Sequence, residues 1–283
     1  WKTFLFSHIP FLIFFFIWFP IFYKQTLGSR AALNLFPAWG ELLGKANIKE
    51  LALVWVKFII GRISVEPNPS FAVLLALISV PFVFAFVKAL RERNKMLLFW
   101  LWLALPVAVS FLGSFFVPGF SFFRLLFVLP AFYLLAARGV YQKSTSRVLV
   151  MAIFCVNIVF SLVYISNDKF WREDWRSAGG FVESEKEAEL VLMAFPEPFA
   201  AYRWYSRKSG IAYGVKNFDD RKDEVNLRAK NIIGDKRTIF TLDYLMDVSD
   251  PQRFVYNNLK ELGYKELNVY NFRGVGQIRY WEK

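Results

Sequence analysis

Histidine and cysteine are almost missing from this sequence: His8 and Cys155 are the only ones in 283 residues. A single cysteine excludes a disulfide scaffold. A single histidine, set in an apolar run, excludes zinc sites built on Cys and His, and no metal site is read from the sequence. It also leaves no Ser-His-Asp or Cys-His pair unless His8 itself serves it. Acidic residues are scarce as well, but only in the first half. Residues 1–166 hold four (Glu41, Glu50, Glu66, Glu92) against 15 Lys and Arg, whereas residues 167–283 hold 19 against 20. The net charge of +12 therefore belongs almost wholly to the first half. No GxGxxG, Walker or EF-hand pattern is present, so no cofactor is evident, and there is no internal repeat or low-complexity linker.

What the chain has in abundance is apolar and aromatic side chains. They make up 56% and 19% of it, with 33 Phe and 10 Trp. Intrinsic disorder is excluded, because disordered chains are poor in such residues. The positive charge punctuates apolar segments instead of covering a polar surface. That is the membrane pattern and not that of a nucleic-acid binder, so no nucleic-acid partner is expected.

A bilayer-spanning helix needs roughly 20 largely apolar residues. Five segments qualify: Thr3–Tyr23, Ser70–Val87, Met96–Val117, Phe122–Val140 and Val148–Ser166. Pro10, Pro20, Pro81, Pro106 and Pro130 fall inside them, a frequency that transmembrane helices tolerate and soluble ones do not. Lys88, Arg91, Arg93 and Lys95 cluster between the second and third spans, and Arg138, Lys143 and Arg147 between the fourth and fifth. Pro118–Ser121, between the third and fourth, carries no charge. The positive-inside rule then puts both basic loops in the cytoplasm of a multi-pass plasma-membrane protein and the C-terminal half outside. Residues 24–69 become an external loop. Within it, Ile48–Arg62, apolar but interrupted by Lys49, Glu50 and Lys57, is expected to lie as a helix in the interface, with Ile48, Leu51, Ala52, Trp55 and Ile59 on its apolar face; the rival reading, a sixth short span, would break the charge parity of the loops. The chain opens on Trp1 almost inside a span, which reads as a fragment lacking an N-terminal portion.

After Ser166 the pattern changes. Helices are expected over Asp174–Glu185, Phe199–Arg207 and Pro251–Leu262. Strands are expected over Glu189–Ala194, Gly210–Val215, Thr238–Leu242, Leu267–Phe272 and Gly274–Trp281. Such alternation argues a small α/β domain. The expected organisation is thus a polytopic α-helical membrane domain over residues 1–166, with five spans and an interfacial helix. An extracytoplasmic α/β domain over residues 167–283 follows it.

Few side chains suggest chemistry. Arg124 lies three positions into an apolar span, where a charge is expensive; it either snorkels to the nearby interface or does work there. A guanidinium suits a phosphate, since its fork donates two parallel hydrogen bonds. Glu41, Glu50 and Glu66 are the carboxylates of the external loops. A transferase that deprotonates a hydroxyl needs one near the bilayer, although solvated loop glutamates are commoner. Asp174, Trp175 and Arg176 follow the last span and either anchor the interface or close a cavity. Cys155 is expected to be a buried small apolar residue.

Four stretches, in this order, resemble those of one family: FIWFPIFYKQ (Phe16–Gln25), SFFRLLFVLPAFYLLAARGV (Ser121–Val140), REDWRSAGGFVES (Arg172–Ser184) and GVGQIRYWEK (Gly274–Lys283). The family is the GT-C superfamily of membrane glycosyltransferases, in the branch of protein O-mannosyltransferases, aminoarabinose transferases and rhizobial-type lipopolysaccharide glycosyltransferases. Leu125 departs from it, standing where a Tyr usually follows the span arginine. The resemblance implies a multi-pass enzyme that takes a sugar from a polyprenyl-phosphate carrier and transfers it, with inversion, to an envelope acceptor on the external face. Membrane lipid, the polyprenyl-phosphate sugar and the acceptor would be its partners. It further implies that the catalytic acidic residues lie upstream of Trp1, that Arg124 approaches the carrier phosphate, and that the soluble domain caps the cavity and helps to select the acceptor, in keeping with a capping role for Asp174, Trp175 and Arg176. The competing class is a non-enzymatic polytopic receptor or scaffold with an external α/β sensor domain. A transporter fits less well, because the spans show no inverted repeat and little intramembrane charge.

Overall fold

The computed structural model describes all residues except 1, 36–39, 41–42, 45, 67, 142–146, 186, 196 and 218–219, and only the backbone of residues 2–5, 7–8, 29–32 and 34–35. The chain divides after Trp171 into two compact units.

The first unit is helical. Among the described residues, four of its helices are long and apolar enough to cross a bilayer: Ile9–Gly28, Pro69–Leu90, Phe122–Val140 and Arg147–Ser166. The first belongs to a longer helix, α1, Lys2–Leu35. It does not stop at Tyr23, because the following residues include strong helix formers and no proline. Helix α2 is Ile48–Ile60, α3 is Pro69–Leu90, and α4 is Leu97–Gly113. Helix α4 is shorter than the Met96–Val117 expected from sequence, at 17 residues, the lower limit of the spanning range of roughly 17–25. It ends where Ser114 turns the chain, its hydroxyl donating to the Gly44 carbonyl at 3.2 Å.

The fourth expected span is not one continuous α-helix. Phe122–Val128 is a 3₁₀ helix, and α5, Leu129–Val140, takes over with Pro130 in its first turn, where a missing N–H costs nothing. A seven-residue 3₁₀ run exceeds the usual three or four. Its period of three turns Leu125 and Val128 into the core and leaves Arg124 and Phe127 exposed. Helix α6, Arg147–Ser166, completes the unit. Cys155 on it is exposed, not buried, and lies on an apolar outer surface with Phe154, Ile158 and Val159.

Phe132 of α5 centres the helical core. Its ring meets Trp55 at 5.3 Å, Phe58 at 5.5 Å, Phe86 at 4.9 Å and Phe82 at 6.0 Å. Alanines let the backbones of α3 and α5 approach, as in membrane interfaces generally: Ala85, Ala89, Ala131 and Ala136 are all buried. Gly139 is the closest point. A Cβ there would stand 1.9 Å from the carbonyl oxygen of Ala85. Gly139→Ala is therefore expected to force α3 and α5 apart and to cost about 1–3 kcal/mol, the usual range for overpacking. A lowered thermal midpoint in detergent, with insertion intact, would show it. Close by, Arg138 pairs with Glu92, its Nε donating at 2.9 Å. The two basic loops are thus tied together at one end of the helices.

The second unit carries a five-stranded sheet of order β2-β1-β3-β5-β4, where β1 is Leu190–Met193, β2 Ala212–Gly214, β3 Thr238–Leu242, β4 Lys265–Phe272 and β5 Gly276–Glu282. Strands β2, β1 and β3 are parallel, and β5 and β4 add an antiparallel hairpin. Every residue of β1 and β3 is buried, because helices cover both faces. Leu190 and Leu192 turn to one core with Ile239, Trp281, Val255 and Leu259, while Val191 and Met193 turn to the other with Phe240, Trp175, Ala178 and Tyr202. A helix over Lys222–Ile233 was not expected from sequence; only Val225, Ala229 and Ile233 of it are buried.

Candidate functional site

Unit one holds a cavity of about 340 Å³ at the end of the helices opposite the Glu92–Arg138 pair. Its walls come from α2, the start of α3, residues 63–65, Gly44 and Ser121–Phe123. The chain before α2 is pinned across this end by one carbonyl. The Gly44 oxygen accepts from Gly119 N at 2.9 Å and Phe120 N at 3.2 Å, besides Ser114 Oγ. Gly44 has φ of +93°, and a Cβ on it would stand 2.2 Å from the Phe120 oxygen. Only glycine suits both demands.

Helix α2 is set by Asn47, whose side chain accepts from Glu50 N at 2.8 Å. At 13 residues it rises about 20 Å, too short to span a bilayer. One side of it packs on the protein and another stays open. Ile48 is 84% exposed and Leu51 39%, while Val54, Lys57, Phe58, Ile59 and Ile60 are buried. The side packed on the protein includes the charged residue Lys57. The Lys57 ammonium donates to the Ile63 carbonyl and, at 2.7 Å, to Ser64 Oγ, and it lies 5.7 Å from the centre of the Phe122 ring. Burial, with Arg62 acting in the same direction, pushes its pKa below the ordinary lysine value. Glu50 and Ser121 line the same cavity. Ser121 is 8% exposed and its hydroxyl oxygen has no partner among the described residues.

Among the residues singled out from sequence, Glu50 lines this cavity, Glu66 is exposed and does not line it, and Glu41 lies outside the described residues. The side chain of His8 lies outside them too. Arg124 is exposed beside the cavity residues Phe122 and Phe123. It donates to the Gly119 carbonyl at 2.9 Å and stacks 5.6 Å from the centre of the Phe123 ring. Neither Lys57 nor Ser121 is among the residues that the sequence singles out for chemistry. A lysine among the apolar residues of VWVKFII was the signal that could have found the first.

A second cavity, of about 520 Å³, lies between α2, α5 and α6. Lys57, Ile60 and Arg62 line it, with Leu126, Phe160 and Tyr164. Tyr133 and Asn157 give it a polar point, with the Tyr133 hydroxyl 2.7 Å from Asn157 Oδ1.

In the second unit Asp174 caps the helix Trp175–Ser184, accepting from Ser177 N at 3.1 Å. That hydrogen bonding holds its carboxyl below the ordinary value. Trp175 is a core residue, 6% exposed, packed on Tyr244 and Phe199. Arg176 is exposed and stacks 5.9 Å from Tyr205. The densest ionic cluster of this unit joins Arg279 to Asp243 at 3.1 Å and to Glu266 at 3.0 Å. Burial pushes the Asp243 carboxyl up against the pull of Arg279.

The fold and the cavity define a membrane-type helical unit joined to an α/β unit. No family model, no curated protein and no solved structure matches the chain.

Proposed function

We propose that the chain is the membrane-embedded part, with its extracytoplasmic domain, of a glycosyltransferase that uses a polyprenyl-phosphate-linked sugar. The acceptor is an envelope lipid, glycan or protein on the external face. The observation that carries this reading is the cavity at the end of the helices away from the basic loops. There a carboxylate, Glu50, a buried cation, Lys57, and the hydroxyls of Ser64 and Ser121 share walls with Phe71, Leu75 and Phe123. The ordered resemblance of four stretches to GT-C transferases supports it.

Inverting transfer needs an acceptor hydroxyl to attack the anomeric carbon while the bond to the carrier phosphate breaks. A carboxylate takes the hydroxyl proton, and cations meet the charge that collects on the departing phosphate. Glu50 is the carboxylate the described cavity offers. Arg124 is assigned to the carrier phosphate, and the α/β unit to selection of the acceptor. The direct test is transfer of a labelled sugar from a polyprenyl-phosphate donor by membranes holding the full-length protein. No transfer to any envelope fraction would refute the reading and favour a non-enzymatic receptor.

The reading also requires a sidedness. With Cys155 replaced by Ala, single cysteines placed within 88–95 and within 220–230 are expected to react with an impermeant maleimide from opposite sides. Labelling of both from one side would overturn the arrangement.

A further inference from the structure

A groove of about 340 Å³ lies between α5 and α6, in the half nearest the basic loops. Tyr133, Ala137 and Val140 line it from α5, and Val150, Phe154 and Asn157 from α6. On each helix these residues are spaced by four and then three, so each set forms one stripe along a helix face. The two polar members are engaged within the protein. Tyr133 Oη lies 2.9 Å from the Phe58 carbonyl oxygen and 2.7 Å from Asn157 Oδ1, and Asn157 Nδ2 donates to the Ile153 carbonyl at 2.8 Å. What suits the groove is therefore hydrocarbon. Met151 and Phe154 are exposed beside it, so it opens onto the outer apolar surface of α6.

Its other end is cationic. Arg147 is exposed and precedes Val150 by three residues, which extends the α6 stripe by one turn. Cβ atoms at that spacing are about 5–6 Å apart. Side chains on a helix lean towards its N-terminus, which carries the guanidinium off the apolar walls towards the level of the headgroups. The counter-charge available at this end is already committed. Glu92 is the only acid in the two basic loops, against seven Lys and Arg, and it is paired with Arg138. Arg147 is thus left for an anion from outside.

Hydrocarbon walls that run into a guanidinium match an acyl chain joined to a phosphate. A zwitterionic headgroup would bring its own cation into a region already rich in them; an acidic one does not. The open side of the groove leaves room for a second chain along α6.

We infer that the α5–α6 groove binds an acidic phospholipid of the bilayer, with one acyl chain between the stripes and the phosphate on Arg147. The inference rests on the membrane reading of the first unit and not on sugar transfer.

The test is native mass spectrometry of the full chain in detergent, with phosphatidylglycerol or phosphatidylcholine of the same acyl chains. The parent is expected to retain phosphatidylglycerol several-fold more tightly. Arg147→Gln should weaken that lipid about 10-fold or more, as for a lost hydrogen bond to a charged group, and leave phosphatidylcholine unchanged. Arg147→Lys should keep part of the preference. Ala137→Phe fills the groove from an exposed position and should weaken both lipids. Lys95→Gln removes an equal charge from the other basic loop and should change little. If Ala137→Phe alters the fold, the contrast between Arg147→Gln and Lys95→Gln decides the matter. Equal retention of the two lipids by the parent, or full retention of phosphatidylglycerol by Arg147→Gln or by Ala137→Phe, would overturn the site. An equal loss in Lys95→Gln would overturn it too, leaving only diffuse attraction between basic loops and acidic lipid. Farnesyl phosphate displacing phosphatidylglycerol at equal concentration would overturn the phospholipid as occupant.

Discussion

Trp281→Ala is expected to cost the α/β unit about 3–5 kcal/mol, the range for truncating a large buried aromatic. Trp281 lies on β5, next to the parallel strands, and is fully buried. Its ring stands 5.5 Å from that of Tyr256 and packs in the core that holds Leu190, Ile239 and Leu259. The indole Nε1 donates to Thr241 Oγ1 at 3.0 Å, and Thr241 is itself fully buried. Alanine thus removes core volume and leaves a buried hydroxyl without its donor. Domains are stable by only about 5–15 kcal/mol, so this is a large fraction of the total. Pulse proteolysis of the full chain in urea should show cleavage within residues 172–283 at a clearly lower midpoint. Trp281→Phe, which keeps most of the volume, should fall between the two. A loss under about 1 kcal/mol would show that the site collapses around alanine, against the packing described.

How much of this was legible in the sequence varies with the physics involved. Apolar length and charge placement sufficed for the helices at Ser70–Val87 and Val148–Ser166, because composition alone marks them. Strands β1 and β3 were legible as buried apolar runs. The helix Lys222–Ile233 was not, because only three of its residues reach the core and the rest are largely charged. The 3₁₀ turn at Phe122–Val128 was not, because period three and period 3.6 cannot be separated in a run whose one polar residue is Arg124. The burial of Lys57 on α2 was not legible for a related reason. Pattern reasoning sends lysine to water, while here the ammonium finds a carbonyl, a hydroxyl and an aromatic ring inside. Local pattern rules fail most where a residue is held against its own solvation preference, and such places are the first to search for function. Arg124 is the converse case. The sequence drew attention to it, and the structure puts it on the exposed side of the 3₁₀ segment.

On the proposed transferase reading, Arg124→Ala is expected to lower the efficiency of donor use by about 10- to 150-fold, which corresponds to losing one hydrogen bond to a charged group at about 1.5–3 kcal/mol. The side chain has five N–H donors. One, on Nη1, holds the Gly119 carbonyl, and the guanidinium rests on Phe123, whose ring also lines the cavity. That clasp orients the fork and leaves its other donors for a phosphate at the cavity rim. The clasp is not what holds the turn together. Gly119 N and Phe120 N remain bonded to Gly44, and Ser114 to the same carbonyl, when Arg124 is shortened. The variant should therefore insert and melt like the parent while the Michaelis constant for the donor rises or turnover falls. Arg124→Lys should restore part of the activity, because an ammonium keeps the charge but loses the planar fork. Donor kinetics unchanged in a well-folded Arg124→Ala protein would leave the Gly119 clasp as the residue's whole role, and the carrier phosphate would then have to be held by other groups, with Lys57 the first to test.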